Sequence, residues 1–333
     1  FVQKFGYAVS GRTMVICDSE EGWLVSLVNG KHWVAARVPD DMVALISNTY
    51  TIREVDLSDT LNYLGSPDLI EYAVKRGWYN PDDGPFSFEK AYADPKTRIS
   101  EGNTHRQWSG LRLLSREHVQ LPEDERLPFA VKPKALLTVK DITCVLRDHY
   151  EETPYEPVAG YETRAAHKRH TSTICSPVTN SSSVFQLRSG MPVEIGAVWW
   201  LAMWQPCSTP YIPLYAGMDE VPEQLGISSE SSGNSPFCIT SFDFGSYYRV
   251  FSDLSGWVDN DYAARIPRLK SCWRTLEETS YNFQPTFEAY LLNQWNTEPA
   301  HALELLSRYS HGIVARAFQQ AKELMRKNDE NKK

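Results

Sequence analysis

The sequence predicts an α+β layered fold on three observations: strand-like alternation with a hairpin signal near its start, a second group of apolar strands between residues 172 and 204, and helical periodicity in its last third. Strands and helices do not alternate as βαβ units, which argues against a Rossmann arrangement. No internal repeat is visible.

Residues 7–52 read as a β-meander. TMVIC (13–17), the polar turn DSEEG, WLVSLV (23–28), Asn29-Gly30 and HWVAARV (32–38) define three antiparallel strands. Asn-Gly between apolar runs tolerates the positive φ of a type I′ turn and so marks the second hairpin. Pro39-Asp40-Asp41 ends the third strand, and MVALISN leads into a short fourth strand ending near Thr51-Ile52. A helix starts at Ser66-Pro67-Asp68 and runs through LIEYAVKR to a glycine cap at Gly77. Residues 80–170 read as an insertion of helices and long loops.

Strands return at 172–177, 183–188 and 193–204, where AVWWLAMW is apolar on both faces, as a covered sheet requires. Alternation puts Trp200 and Trp204 on one side and Trp199 on the other, which favours core packing over a flat carbohydrate-binding platform. Residues 219–236 form a polar loop. Helices are predicted over 246–265 and 285–327, the second with Leu291, Leu292, Ala302, Leu305, Ile313, Ala317 and Leu324 at near-helical spacing.

With 333 residues, 42% of them hydrophobic, the chain can bury a sizeable core in one large domain or two closely joined ones. The net charge of −8 and a single dense basic run at 164–170 give no basis for nucleic-acid binding. The longest apolar run, residues 195–204, is far short of the ~20 residues a membrane helix needs, so no membrane partner is expected. The opening FVQKFGYAV lacks the features of a signal peptide and reads like the middle of a fold already under way, leaving the compartment open.

Common catalytic motifs are missing: GxSxG, GxxxxGK[ST], HExxH and GxGxxG do not occur. His167 and His170, with Cys175 nearby, have the look of metal ligands, but an HxxH pair in a basic stretch favours a structural or solvent-exposed role, and no metal site is expected. The six cysteines, Cys17, Cys144, Cys175, Cys207, Cys238 and Cys272, include no CxxC pair. Cys17, at a strand end beside Met14, Val15 and Ile16, reads as a buried inert thiol, and Cys207 in QPCSTP has no histidine near it in sequence.

Three ordered blocks remain: ICDSEEGWLV…HWVAARVPDDMVALISNTYTI (16–52), FSFEKAYAD…GNTHRQWSGLRLLS (86–115) and HTSTICSPV…SSVFQLR…PVEIGAVWWLAMWQPCSTPYIPLYAG (170–217). Together they resemble the C69 dipeptidases, N-terminal-nucleophile (Ntn) hydrolases related to bile-salt hydrolases and penicillin V acylases. The resemblance implies a four-layer αββα sandwich. Residues 1–220 would be the larger, C-terminal part of that domain, and residues 221–333 a helical region packed on it. It implies a cysteine exposed at the mature N-terminus as nucleophile, its own α-amine as base, and an acyl-enzyme intermediate, with no metal or organic cofactor. That cysteine belongs upstream of the meander, so the resemblance places it in an N-terminal segment preceding Phe1 and makes residues 1–333 inactive alone.

Two roles carry over by position. Asn48, in ISN, matches the asparagine that stabilises the tetrahedral oxyanion, and Arg106, in GNTHRQW, the arginine near the nucleophile. Asn103 and Trp108 flank Arg106 and would line the substrate pocket, whereas Asp18 reads as a turn residue. The implied substrate is a dipeptide or short peptide, and a homo-oligomer is compatible with the sequence. The rival readings are a linear-amide acylase of the bile-salt hydrolase or penicillin acylase type and a non-catalytic binding protein of the same fold.

Overall fold

The computed structural model describes residues 2–98, 100–121, 127–156, 167, 172–226 and 246–329. The chain is mixed α+β and divides into two compact units, residues 1–141 and 142–333, so the boundary expected near residue 220 falls inside the second.

In chain order the first unit contains α1 (Val2–Phe5), β1 (Arg12–Cys17), β2 (Gly22–Leu27), β3 (Trp33–Arg37), β4 (Val43–Ala44), β5 (Tyr63–Gly65), α2 (Leu69–Lys75), α3 (Phe88–Tyr92), α4 (Pro95–Arg98), α5 (Glu101–Leu114) and β6 (Ala130–Val131). Helix α6 (Val139–Leu146) carries the boundary between the units. The main sheet is antiparallel in the order β1-β2-β3-β5, with Ile16 opposite Trp23, Val25 opposite Ala35 and Ala35 opposite Leu64. Leu24, Val34 and Ala36 on this sheet bury against Leu69 and Ala73 of α2, Phe88 of α3, and Ile52, Val55 and Phe86 from the connecting segments. Helix α2 stops where expected, because Gly77 takes a φ of +69° and returns its N–H to the Val74 carbonyl at 2.9 Å.

Three expectations for this unit need correction. The fourth strand is β5 rather than a segment ending at Thr51-Ile52; the residues before Asn48 instead form β4, which pairs with β6 in a separate ribbon. At Asn29-Gly30 only Gly30 has positive φ (+110°), so the turn is not type I′; Gly30 is drawn away by two bonds with Tyr7, of 2.7 and 2.8 Å. Strand β1 is an exposed edge, with Val15 62% and Ile16 55% accessible, and Cys17 at its end is exposed instead of buried.

The second unit continues with β7 (Ser181–Gln186), α7 (Val193–Gly196), β8 (Val198–Met203), β9 (Ile212–Tyr215), α8 (Tyr247–Asp259), α9 (Tyr262–Trp295) and α10 (Pro299–Asp329). Its sheet is antiparallel, β7-β8-β9. Alternation holds for the first pair in β8, where Trp200 is fully buried and Trp199 is partly exposed and stacks on Phe185, but Trp204 falls beyond the strand at a φ of +70° and outside that alternation. Leu201, Ile212 and Leu214 pack against Phe251 and Leu254 of α8, Leu269 and Trp273 of α9, and Val314, Ala317 and Ala321 of α10 in one apolar cluster. Residues 172–177 are loop, not strand, and β9 lies within the stretch read as loop. The single long helix foreseen over 285–327 is two helices. Glu298 precedes Pro299, whose ring disfavours helical backbone at the residue before it, so the chain breaks there and restarts with proline in the first turn. Pro285, read as a helix start, lies inside α9, where packing of Leu276, Phe287 and Leu291 outweighs one lost backbone bond.

Two arginine–glutamate pairs tie α9 to the rest of this unit. Arg188 donates to both carboxylate oxygens of Glu288 at 2.6 and 2.7 Å, and Glu288 also accepts from Tyr215 Oη at 2.9 Å. Arg147 clamps Glu277, which accepts the backbone N–H of Tyr211 at 2.7 Å. Removing one member of such a pair strands the other charge in a poorly solvated place. Glu277→Ala is therefore expected to lower unfolding free energy by about 3 kcal/mol in a denaturant titration. Glu304→Ala, which breaks the exposed Arg308–Glu304 pair, is expected to cost less than ~0.5 kcal/mol.

Candidate active site

Asn103 and Arg106 stand three residues apart on α5 and so share a face of the helix. Arg106 Nε donates to the Gly102 carbonyl of its own helix at 2.8 Å, Nη2 to Asn103 Oδ1 at 2.8 Å and Nη1 to Asn48 Oδ1 at 2.8 Å. Asn103 Nδ2 returns to the Asn48 carbonyl at 3.2 Å and to the Thr97 carbonyl at 2.9 Å. Three of the four residues singled out from the sequence thus form one network. Asn103 is buried and Asn48 exposed.

The chemistry of this network is asymmetric. A guanidinium has only donors, so the atom of Asn48 facing Arg106 must be its oxygen, and the Nδ2 amide is turned the other way. Among the described residues that amide has no acceptor. Asn48 therefore offers an N–H donor that is exposed yet held at its other end. The segment leading to it is anchored twice, by β4 pairing with β6 and by Leu45 packing against the cluster of Trp108, Leu111, Val119 and Leu127.

Trp108, expected to line the pocket, sits in that cluster. Two residues beyond Arg106, it lies about 200° around the helix. Its indole is buried and donates to the Val119 carbonyl at 2.8 Å, with the Arg112 guanidinium over its ring at 5.0 Å. Asp18 is a turn residue as expected: its Oδ1 accepts the N–H groups of Glu20 and Glu21 at 2.8 and 2.9 Å, which holds its carboxyl below the ordinary value.

The second unit holds a constellation that the sequence did not reveal. His149, His167, Cys175 and Cys207, all buried, bring one nitrogen or sulfur each to within 4.8 Å of one another. Of the residues that the sequence sets beside His167, Cys175 is in the cluster and His170 lies outside the described residues. The partners it meets, His149 and Cys207, are remote in sequence and carry no spacing signal. Burial opposes the charged form of His149, but its bonds to Cys207 and Glu151 outweigh that and raise it to about 10. His167 behaves alike, with Asp259 and Cys207 lifting it against burial to about 9. Burial, with Cys175 beside it, pushes the Cys207 thiol up to about 12.

A family model described as Peptidase family C69 matches residues 1–274. The chain belongs to peptidase family C69. Among similar curated proteins, a probable dipeptidase of Latilactobacillus sakei is 33% identical over 223 residues, which are 67% of this chain and 46% of that protein. A probable dipeptidase of Salmonella dublin is 30% identical over 213 residues, 63% of this chain and 48% of that protein. Dipeptidase A of Lactobacillus helveticus is 24% identical over 273 residues, 81% of this chain and 57% of that protein. The chain thus spans about half the length of these C69 relatives. Both the Asn48–Asn103–Arg106 network and the histidine–cysteine cluster fall within the residues matched to the C69 model.

Asn103 and Asn48 differ in burial, and so in what their removal costs. Asn103→Ala leaves two backbone carbonyls and one arm of Arg106 without their partner and is expected to cost ~1–3 kcal/mol of stability. Asn48→Ala, at an exposed position, is expected to change stability by less than ~0.5 kcal/mol, both read from denaturant unfolding.

Proposed function

We propose that this chain is part of a cysteine-type dipeptidase working through an acyl-enzyme. Residues Asn48 and Arg106 serve its transition state, and the fold is the four-layer αββα sandwich of Ntn hydrolases. The observation that carries this reading is the Asn48 amide, turned outward and locked from behind by Arg106 in a chain of family C69. The dipeptidase names of the similar proteins favour a dipeptide as substrate.

The chemistry proceeds as follows. The α-amine of a cysteine at the mature N-terminus takes the thiol proton, and the sulfur attacks the scissile carbonyl carbon, placing negative charge on the carbonyl oxygen. Asn48 Nδ2 donates to that oxygen, and because Oδ1 is bound to a cation, the amide is polarised toward stronger donation. The carbon–nitrogen bond then breaks, the ammonium returns its proton to the leaving amine, and water hydrolyses the thioester with the same amine as base. Arg106 is a positioning residue whose charge also lowers the energy of the oxyanion. Asn103 holds Arg106 and the backbone of Asn48, and Trp108 supports the preceding segment from the core.

None of the cysteines within residues 1–333 can take the nucleophile's part, since the nitrogen of an internal cysteine belongs to a peptide bond and is not basic. Cys17 is exposed yet internal. The reading therefore requires a cysteine whose α-amine is free, which no internal position supplies.

The complete protein should hydrolyse dipeptides and leave glycocholate and penicillin V intact; cleavage of only the latter two would replace the dipeptidase reading with the acylase one. In the complete protein Asn48→Ala is expected to lower kcat about 10²-fold or more, with KM little changed. Arg106→Lys keeps the charge but cannot span Asn48 and Asn103 with one planar fork, so it should lose part of the same kcat. Unchanged turnover in a correctly processed Asn48→Ala enzyme would remove Asn48 from the mechanism.

A further inference from the structure

We propose that His149, His167, Cys175 and Cys207 form a closed tetrahedral zinc site that staples the second unit. The four donor atoms lie within 4.8 Å of one another, and three of the distances between them match those such a centre requires. Zinc–nitrogen bonds of about 2.0–2.1 Å and zinc–sulfur bonds of about 2.3 Å at tetrahedral angles put two nitrogens about 3.3 Å apart, and nitrogen and sulfur about 3.6 Å apart. Here His149 Nε2 and His167 Nε2 are 3.2 Å apart, and His167 Nε2 lies 3.6 Å from Cys175 Sγ and 3.5 Å from Cys207 Sγ.

The outer partners point the same way. His149 Nδ1 faces Glu151 Oε1 at 3.1 Å, and His167 Nδ1 faces Asp259 at 3.1 and 3.3 Å. Each carboxylate holds the proton on Nδ1 and leaves Nε2 directed inward, the usual support of a metal-bound histidine. A proton between the two Nε2 atoms, 3.2 Å apart, satisfies only those two donors, whereas a cation between them, with two sulfurs beside it, engages all four. Two nitrogens with two thiolates favour zinc over the harder cations, and two thiolates neutralise its charge, which suits a buried centre. With all four positions taken by protein, no place is left for a reactive water, so the site is structural rather than hydrolytic.

The backbone around the ligands is shaped for the purpose. The three described non-glycine residues with positive φ are Tyr150 (64°), Glu152 (62°) and Trp204 (70°), each within three positions of His149 or Cys207. Such conformations are retained where surrounding bonds over-determine them. Glu151 accepts the backbone N–H of His149 at 2.8 Å as well as facing its ring, and Arg147 donates to the carbonyls of Pro206 at 2.7 Å and Thr209 at 3.1 Å, on either side of Cys207. Cys175 N–H donates to the Asp148 carbonyl at 3.1 Å. A cleft lined by Arg147, Cys207, Thr209, Ser271 and Glu277 lies beside the loop that carries Cys207.

The test is the metal content of the full-length protein purified under reducing conditions without chelator. About one zinc per chain is expected, with X-ray absorption giving two sulfur and two nitrogen neighbours at about 2.3 and 2.0 Å. Cobalt substitution should give the thiolate-to-metal charge-transfer bands and intense visible bands of a tetrahedral centre. Cys207→Ser should abolish stoichiometric binding. Glu151→Gln, which keeps all four ligands and guards against a Cys207 variant that does not fold, should weaken zinc binding about 10–100-fold. A folded, reduced protein that neither contains nor takes up zinc or cobalt would overturn the proposal. So would a Cys175–Cys207 disulfide, or zinc bound equally well by a folded Cys207→Ser protein.

Discussion

Arg106 presents one rigid planar cation to three acceptors at once, the Gly102 carbonyl and the side-chain oxygens of Asn103 and Asn48. Its helix and its partner loop are far apart in sequence, and neither asparagine can rotate its amide without setting a donor against a donor. That geometric demand joins α5 to the segment after β4 and decides which face of Asn48 is presented. The second unit repeats the device with Arg147, whose three nitrogens reach the Pro206 and Thr209 carbonyls and the Glu277 carboxylate and so fix the loop that carries Cys207. A lysine donates from a single nitrogen and could not bridge acceptors this far apart.

Preorganisation is the link from this constraint to function. An amide free to rotate would have to be ordered as charge develops on the substrate oxygen, whereas Asn48 is already held at its back while its donor face is open. The holding is done by buried groups: Asn103, spanning two carbonyls, and Trp108, whose cluster grips Leu45. In the second unit the histidine–cysteine cluster plays a comparable role, joining the strained turn at residues 149–152, the segment at Cys175 and the loop at Cys207 around one centre.

The parts of the fold that were legible in the sequence are those in which local preference and burial agree. The strands over residues 13–38 are apolar runs set off by turn residues, and α2 ends on a glycine that takes the conformation it is suited for. Where long-range pairing decides, sequence signals failed. Strand β5 is only three residues long and exists because Ala35 and Ala36 lie beside it, and Gly30 abandons the turn its dipeptide favours to pair with Tyr7. Pro285 looks like a boundary in the sequence because its lost hydrogen bond is local, while the apolar contacts that carry α9 through it are not. Asn48, Asn103 and Arg106 were found through ordered sequence blocks and not through spacing, and their mutual contacts could not be read there. His149 gave no signal, since its role arises only where separate segments converge.

The central claim is that the Asn48 amide, held by Arg106, receives the charge that develops on the substrate. The most direct measurement is a crystal structure of the complete, processed protein with a dipeptide aldehyde joined covalently to the nucleophile, since the resulting hemithioacetal oxygen occupies the oxyanion position. The expected result is Asn48 Nδ2 about 2.7–3.1 Å from that oxygen, with Arg106 still bonded to Asn48 Oδ1. An oxygen held by other donors, with the Asn48 amide turned away from it, would contradict the account.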